Sequence, residues 1–427
     1  MSQSNKNIIK LDNGLTVVLL PMSNTNQKLN VTFVFNGVGS GIDGGKPGIS
    51  HLAEHMVFRG TETYTAKIIA DKITNLSNSY TAYTAYDKTV FSIDTYKNSL
   101  NDAIELLVDM FSKSRLDGFD TEKNVIKHEL NMRLDNPFVG LFSLIDLGYR
   151  LENNDVLQKT NLPKLLQSDV EKFIKDNYVP NKCQLIISGD IDNTDILEAV
   201  IKSKTKLWEN SKTPQKEWKA LDYKSGCFTG KNLTHSSYFA LFFNGPKSDN
   251  IKDIVSGCIV NAICGSSLNS TLMYDARINQ GLTYGIDTFS TIQKDHGTWG
   301  VISFTDKESL PNLLKSAMTS IKSIKYSIND SKSNNVDIAK IALKNSLNQP
   351  LFTPGAATSE YMLYNHLGVT KDQLITIIDE TTSKDVLGWF ERTLASAPSL
   401  ALYGDIDPNS YSQDFVNSMW HGIGVTA

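Results

Sequence analysis

The sequence predicts an α+β protein made of two duplicated domains of about 210 residues, each a mostly antiparallel sheet packed with helices. Three observations predict it. Short runs rich in β-branched and aromatic residues are interspersed with longer stretches of helical period. The run Gln184-Leu-Ile-Ile-Ser-Gly-Asp-Ile-Asp192 returns as Ser399-Leu-Ala-Leu-Tyr-Gly-Asp-Ile-Asp407. In the same order and at nearly the same spacing, Phe33-Val-Phe-Asn-Gly37 returns as Leu241-Phe-Phe-Asn-Gly245. One match can arise by chance, whereas two in step point to duplication.

Taken in order, Ile8 to Pro21 reads as two apolar runs around Asp12-Asn13-Gly14, where Asn-Gly supplies the positive φ of a hairpin turn. Val31 to Asn36 is a strand. Residues 37–48, with six Gly and one Pro, form a loop that leads into a helix at His51, and Gly60 ends that helix. A second helix runs from Thr65 to Leu76, and Tyr80 to Thr95 is extended. Leu100, Ala103, Ile104, Leu107, Val108 and Phe111 make the apolar stripe of a further helix. The next helix is expected to take Asp120 as its N-cap and to stop near Asp135 before Pro137. Helices at Leu141–Arg150 and Leu165–Tyr178 and a strand at Gln184–Ser188 follow. The polar stretch Glu209 to Glu217 reads as a linker, giving domains 1–208 and 219–427 joined through 209–218. In the second domain Ser266 to Thr271 stands where Ser50 to His55 stands in the first. It keeps a small residue and the Leu but no His or Glu, and Gly265 is expected to open its helix.

Length and composition narrow the function classes. A chain of 427 residues is too long for one ordinary core. With 40% hydrophobic and 21% charged residues and a net charge of −4, it has no global attraction for nucleic acid or an acidic membrane surface, so neither partner is expected. Cys183, Cys227, Cys258 and Cys264 show no C-x-x-C spacing and read as reduced thiols. The first residues resemble no presequence, and no window reaches the roughly 20 apolar residues of a membrane span. A cytoplasmic location is the resulting expectation.

The chemistry gathers at His51-Leu-Ala-Glu-His55. On a helix His51 and His55 stand one turn apart on one face with Glu54 beside them, so two imidazoles can share an ion. This is the H-x-x-E-H order of the inverzincins. A hydrolytic zinc needs three protein ligands, commonly two His and a carboxylate, with another carboxylate as base. Glu122 and Glu129, seven residues apart on the helix near Asp120, share a face and offer the missing carboxylate. His128, His235, His296, His366 and His421 show no ligand spacing.

His51 to His55, followed by Phe58-Arg-Gly-Thr61 and by Glu122-Lys-Asn-Val-Ile-Lys-His-Glu129, resembles the pitrilysin family of zinc peptidases, most closely its short bacterial processing-peptidase-like members. Gly14-Leu-Thr-Val17 and Arg277-Ile-Asn-Gln-Gly-Leu-Thr-Tyr284 extend the resemblance over nearly the whole chain. The resemblance implies that His51, His55 and Glu129 bind zinc, that Glu54 is the general base, and that Glu122 supports the site from behind. It implies that Arg277 and Tyr284 hold substrate carbonyls, and that an extended peptide adds as a strand near Thr81 and Ala82. Thr81 stands where the family commonly has Asn, a departure that bears on cleavage rate or substrate range but not on the metal ligands. The implied activity is a zinc-dependent endopeptidase for peptides or short unfolded segments, working as a homodimer or as a heterodimer with a similar subunit. The alternative is a non-catalytic or partner-dependent subunit that binds peptides.

Overall fold

A computed structural model describes residues 7–423 apart from 24, 78, 152–153, 192–193, 233, 266–269 and 331–333. It contains two mixed sheets, each with helices packed against it. The six-stranded sheet has the order β1-β2-β6-β3-β5-β4, with β1 Asn7–Lys10, β2 Thr16–Pro21, β3 Lys28–Asn36, β4 Ser79–Thr84, β5 Lys88–Tyr96 and β6 Cys183–Gly189. The five-stranded sheet has the order β7-β11-β8-β10-β9, with β7 Cys227–Lys231, β8 Ser237–Asn244, β9 Ile286–Ile292, β10 Gly297–Thr305 and β11 Ser399–Gly404. Each sheet has one parallel pair, β2 with β6 and β7 with β11, and is otherwise antiparallel.

Dropping β1 makes the two strand orders equivalent, and the sequence echoes fall at matching places. β3 ends at Asn36 and β8 at Asn244; β6 ends at Gly189 and β11 at Gly404. Both terminal glycines hold positive φ, +120° and +112°. At each, an added Cβ would lie 2.3 Å from a carbonyl oxygen, that of Lys28 or Ser236, so no side chain fits there.

The first compact unit comprises the described residues of 1–132, 153–217 and 350–365, and the second those of 133–152, 218–349 and 366–427. The chain changes unit at residues 217 and 218, inside the expected linker. It also exchanges one segment each way, which contiguous domains 1–208 and 219–427 do not include. The reason is that both faces of each sheet need cover, and every interior position of β3 is buried. In the first unit one sheet face carries Phe33, Phe35 and Phe91 into an aromatic core with Phe111, Tyr178 and Trp208, where Phe35 stacks on Tyr178 at 4.6 Å. The other face, with Val18, Val34, Val90 and Ile186, is covered by Tyr361 and Met362 from the helix Pro354–Leu367. Thr358 of that helix donates to Asn30 at 2.8 Å and lies 2.9 Å from Ser188 Oγ.

In the second unit Ala240, Phe242 and Ala401 are covered by Leu141 and Ile145 from the helix Pro137–Asp146. That helix lies so close to the sheet that a Cβ on Gly140 would meet the Tyr403 ring at 2.3 Å. Three local expectations change. Pro137 opens this helix at its first position instead of only ending the one before it, because the first turn has no use for its missing N–H. Asp120 lies inside the first turn of the helix Phe119–Leu134, where its charge meets the helix dipole, and is not the cap. Gly265 follows the end of the helix Ile251–Cys264 instead of opening one, and the expected counterpart of the His51 helix falls largely on 266–269, outside the described residues.

Candidate metal centre

The site is built on α1, Ile49–Met56, which continues as a tight turn, Val57–Arg59, and ends at Gly60. Its N-terminus follows Gly48, in the left-handed region at φ +89°, and has no side-chain cap at that position. Asp43 supplies one from the preceding loop, accepting from Gly48 N at 2.7 Å and Ser50 N at 3.2 Å. Burial lifts the Asp43 carboxyl to about 7, against these hydrogen bonds and the nearby His51. The glycine-rich loop runs flush against the turn between β4 and β5: Ser40 N donates to Ala85 O and Gly41 N to Tyr86 O. A Cβ on Gly39 would lie 2.3 Å from Ala85 O.

From this helix His51 and His55 present their rings with centroids 4.9 Å apart. Further along the chain, α2, Ala66–Leu76, and α3, Leu100–Ser112, precede α4, Phe119–Leu134, which brings Glu122 and Glu129 to the same place. Glu129 Oε1 lies 3.6 Å from His51 Nε2, and its Oε2 lies 3.3 Å from His55 Nε2. Donor atoms of these three residues all fall within 4.8 Å of one another, the one such cluster among the described residues. Donors bound about 2.0–2.2 Å from a tetrahedral zinc stand roughly 3.3–3.5 Å apart. The two contacts, made by different oxygens of Glu129, match a zinc site in donor type and lie near that spacing.

Electrostatics favour a cation at the same point. Burial works to lower the His55 pKa, but hydrogen bonds to Glu122 and Glu129 and the Glu54 charge outweigh it and lift it to about 9. Hydrogen bonds from His51 and His55 hold the Glu129 carboxyl well below the usual range. His55 Nδ1 meets Glu122 Oε1 at 2.9 Å, which leaves Nε2 facing Glu129, and Arg59 lies 3.5 Å from the other oxygen of Glu122. His51 Nδ1 meets Gln158 Oε1 at 3.3 Å in the same manner. Glu54 is buried beside the histidines; Thr84 Oγ1 donates to its Oε2 at 2.8 Å, and burial raises its pKa.

Every sequence-nominated site residue of the first half thus lies on or beside α1, α4 or β4. Thr81 and Ala82 belong to β4, the edge strand of the sheet, with Thr81 opposite Ser92 and exposed and Ala82 opposite Phe91. In the second unit the Arg277 guanidinium sits 4.7 Å over the ring of Tyr284, which is 75% exposed. Arg277 lies in a π-helical turn, Tyr274–Asn279, a distortion frequent at functional sites. Asp43, Thr84 and Gln158 were not nominated from the sequence. An Asp in a glycine-rich loop just before a helix is a readable cap signal, whereas nothing in the spacing of Thr84 or Gln158 points to α1.

Residues 17–144 match the family model described as Insulinase (Peptidase family M16), and residues 165–337 match the model described as Peptidase M16 inactive domain. The first match contains His51, Glu54, His55, Glu122 and Glu129. Among curated proteins, an uncharacterized zinc protease of Rickettsia bellii is 24% identical over 96% of this chain and 99% of its own length. A probable mitochondrial-processing peptidase subunit beta of Arabidopsis thaliana is 24% identical over 81% of this chain and 68% of its own. Among solved structures, a protease from Helicobacter pylori aligns with a TM-score of 0.81 at 17% identity, covering 93% of this chain and 99% of that one. A peptidase M16 inactive domain from Pseudomonas fluorescens aligns with a TM-score of 0.79 at 17% identity, covering 94% and 98%.

Proposed function

This chain belongs to peptidase family M16, and from that premise we propose that it is a zinc-dependent endopeptidase that cleaves peptides or short unfolded protein segments. The observation that carries the reading is the convergence of His51, His55 and Glu129 with Glu54 buried beside them. His51, His55 and Glu129 would hold the ion. When bound there, zinc supplies a Lewis acid that polarises the scissile carbonyl and acidifies the attacking water.

The remaining chemistry belongs to the chain. Glu54 accepts the proton of the attacking water and delivers it to the leaving amine. Thr84 occupies Oε2, so Oε1 carries the proton, and the burial that raises the Glu54 pKa makes it a better base than a solvated carboxylate. Glu122 holds His55 with Nε2 toward the ion. An extended peptide is bound by strand addition at β4, where the sheet ends and backbone groups recognise a chain with little sequence demand. Arg277 and Tyr284 are the proposed holders of substrate carbonyls, and a similar second subunit is the proposed partner.

The test is Glu54→Gln. The variant should keep stoichiometric zinc and lose cleavage of a quenched peptide by about 100-fold or more; cleavage surviving at the wild-type rate removes Glu54 from this role. A second reading, a peptide-binding subunit idle without a partner, draws support from Thr81. Wild-type protein that holds zinc yet leaves the peptide uncut until a similar subunit is added would select it.

A further inference from the structure

The two imidazoles of the centre are oriented by unlike groups. His55 Nδ1 meets a carboxylate oxygen of Glu122 at 2.9 Å, while His51 Nδ1 meets an amide oxygen, Gln158 Oε1, at 3.3 Å. Gln158 and His51 are both buried, 9% and 7% exposed, so water does not compete freely for that ring nitrogen. Gln158 comes from the short helix Asp155–Asn161, whose first turn is capped by Asn154 accepting from Leu157 N at 3.0 Å.

This short helix grips the start of α1 at two further points. Asn161 Nδ2 donates to Pro47 O at 3.0 Å, just before α1 begins. Gly48 lies so close that a Cβ there would stand 3.3 Å from the Gln158 Cβ, a tight contact that the glycine avoids. The Gln158 backbone is thereby held against the turn that carries His51, and its side-chain carbonyl is aimed at the ring.

We propose that Gln158 is a positioning residue for the metal centre: its amide oxygen holds His51 as the Nδ1–H tautomer with Nε2 turned toward Glu129. The proposal rests on the zinc-peptidase reading of the site. An amide suits this place for an electrostatic reason. Glu54, Glu122 and Glu129 already gather around the two histidines, and Asp43 caps their helix. A further carboxylate would orient the ring equally well but add a buried negative charge that must be compensated. Gln orients the ring without that addition, and its neutral oxygen still accepts the ring N–H.

The experiment compares wild type, Gln158→Met and Gln158→Glu as metal-free proteins titrated with zinc against a chromogenic chelator, with thermal melts of the same samples. Met keeps the length and packing but replaces the amide oxygen with a weakly accepting thioether sulfur; an ionised Glu can only accept. Gln158→Met should weaken zinc binding about tenfold, the usual size of an effect from a group behind a ligand, while its metal-free melt stays near wild type. Gln158→Glu should bind zinc at or above the wild-type affinity even where its metal-free melt is lower. Cobalt-loaded Gln158→Met should show altered visible absorption, because a ligand ring free to turn changes the ligand field. Equal zinc affinity in wild type and Gln158→Met overturns the proposal, as does a Gln158→Glu variant that binds as weakly as Gln158→Met. Wild-type protein that takes up no zinc overturns the reading of the site itself, a result the wild-type titration reports separately.

Discussion

Glu54 and His55 are neighbours in the chain whose protons respond in a linked way to one cluster. Burial raises the Glu54 pKa, whereas His55 is lifted to about 9 because Glu122 and Glu129 outweigh the effect of burial. On the proposed reading of the site, zinc would bind His55 only after displacing its proton. Apparent zinc affinity should therefore rise about tenfold per pH unit up to about pH 9 and level off above it, a slope that chelator competition at several pH values measures. The same shift has a different sign for folding. Since the folded pKa lies above the ordinary 6.5, the protonated ring stabilises the metal-free fold fully below about pH 6.5, and that contribution is lost as pH rises through 9. A melting temperature of the metal-free protein that rises over this window contradicts the assignment. His51, Glu54 and His55 were readable in the sequence because a helix repeat places them on one surface. Gln158 was not, because no local period links positions 51 and 158.

Among the elements, α1 depends on a cap it does not carry at its own N-terminus. Asp43 satisfies Gly48 N and Ser50 N from within the glycine-rich loop. Asp43→Ala leaves two buried donors without that acceptor and should destabilise the protein by about 1–2 kcal/mol, with weaker zinc binding, in denaturant melts paired with metal titration. β4 poses the complementary case, an edge strand with outward backbone and an exposed Thr81. Thr81→Asn restores the side chain common in the family and should lower KM or raise kcat for a peptide substrate without changing zinc affinity. A change in zinc affinity would instead place Thr81 in the metal site. Periodicity made the strand and helix types legible, including the hairpin that joins β1 to β2. The starts of α4 and of the helix at Pro137 were misjudged because Asp and Pro serve more than one position near a helix end, and only neighbouring packing selects between them.

At the scale of the whole chain, each unit takes one covering segment from the other half of the sequence: 350–365 in the first, 133–152 in the second. Val18, Val34, Val90 and Ile186 depend on Tyr361 and Met362 for cover, and burial of each such side chain is worth about 1.5–3 kcal/mol. Separate expression of residues 1–217 and 218–427 should give fragments that are poorly stable alone and that co-elute once co-expressed. Two fragments that each melt cooperatively and migrate apart would show that the exchanged segments are dispensable. The family, the duplication and the placing of His51, Glu54 and His55 on one helix surface were legible in the sequence, since they rest on a motif, a repeated run or a local period that survives without knowledge of the fold. Which helix covers which sheet face, which oxygen caps α1 and which amide meets the His51 ring were decided by the tertiary structure alone. These contacts join residues far apart in the chain, and an apolar stripe or a polar side chain specifies that a partner is needed without specifying which one.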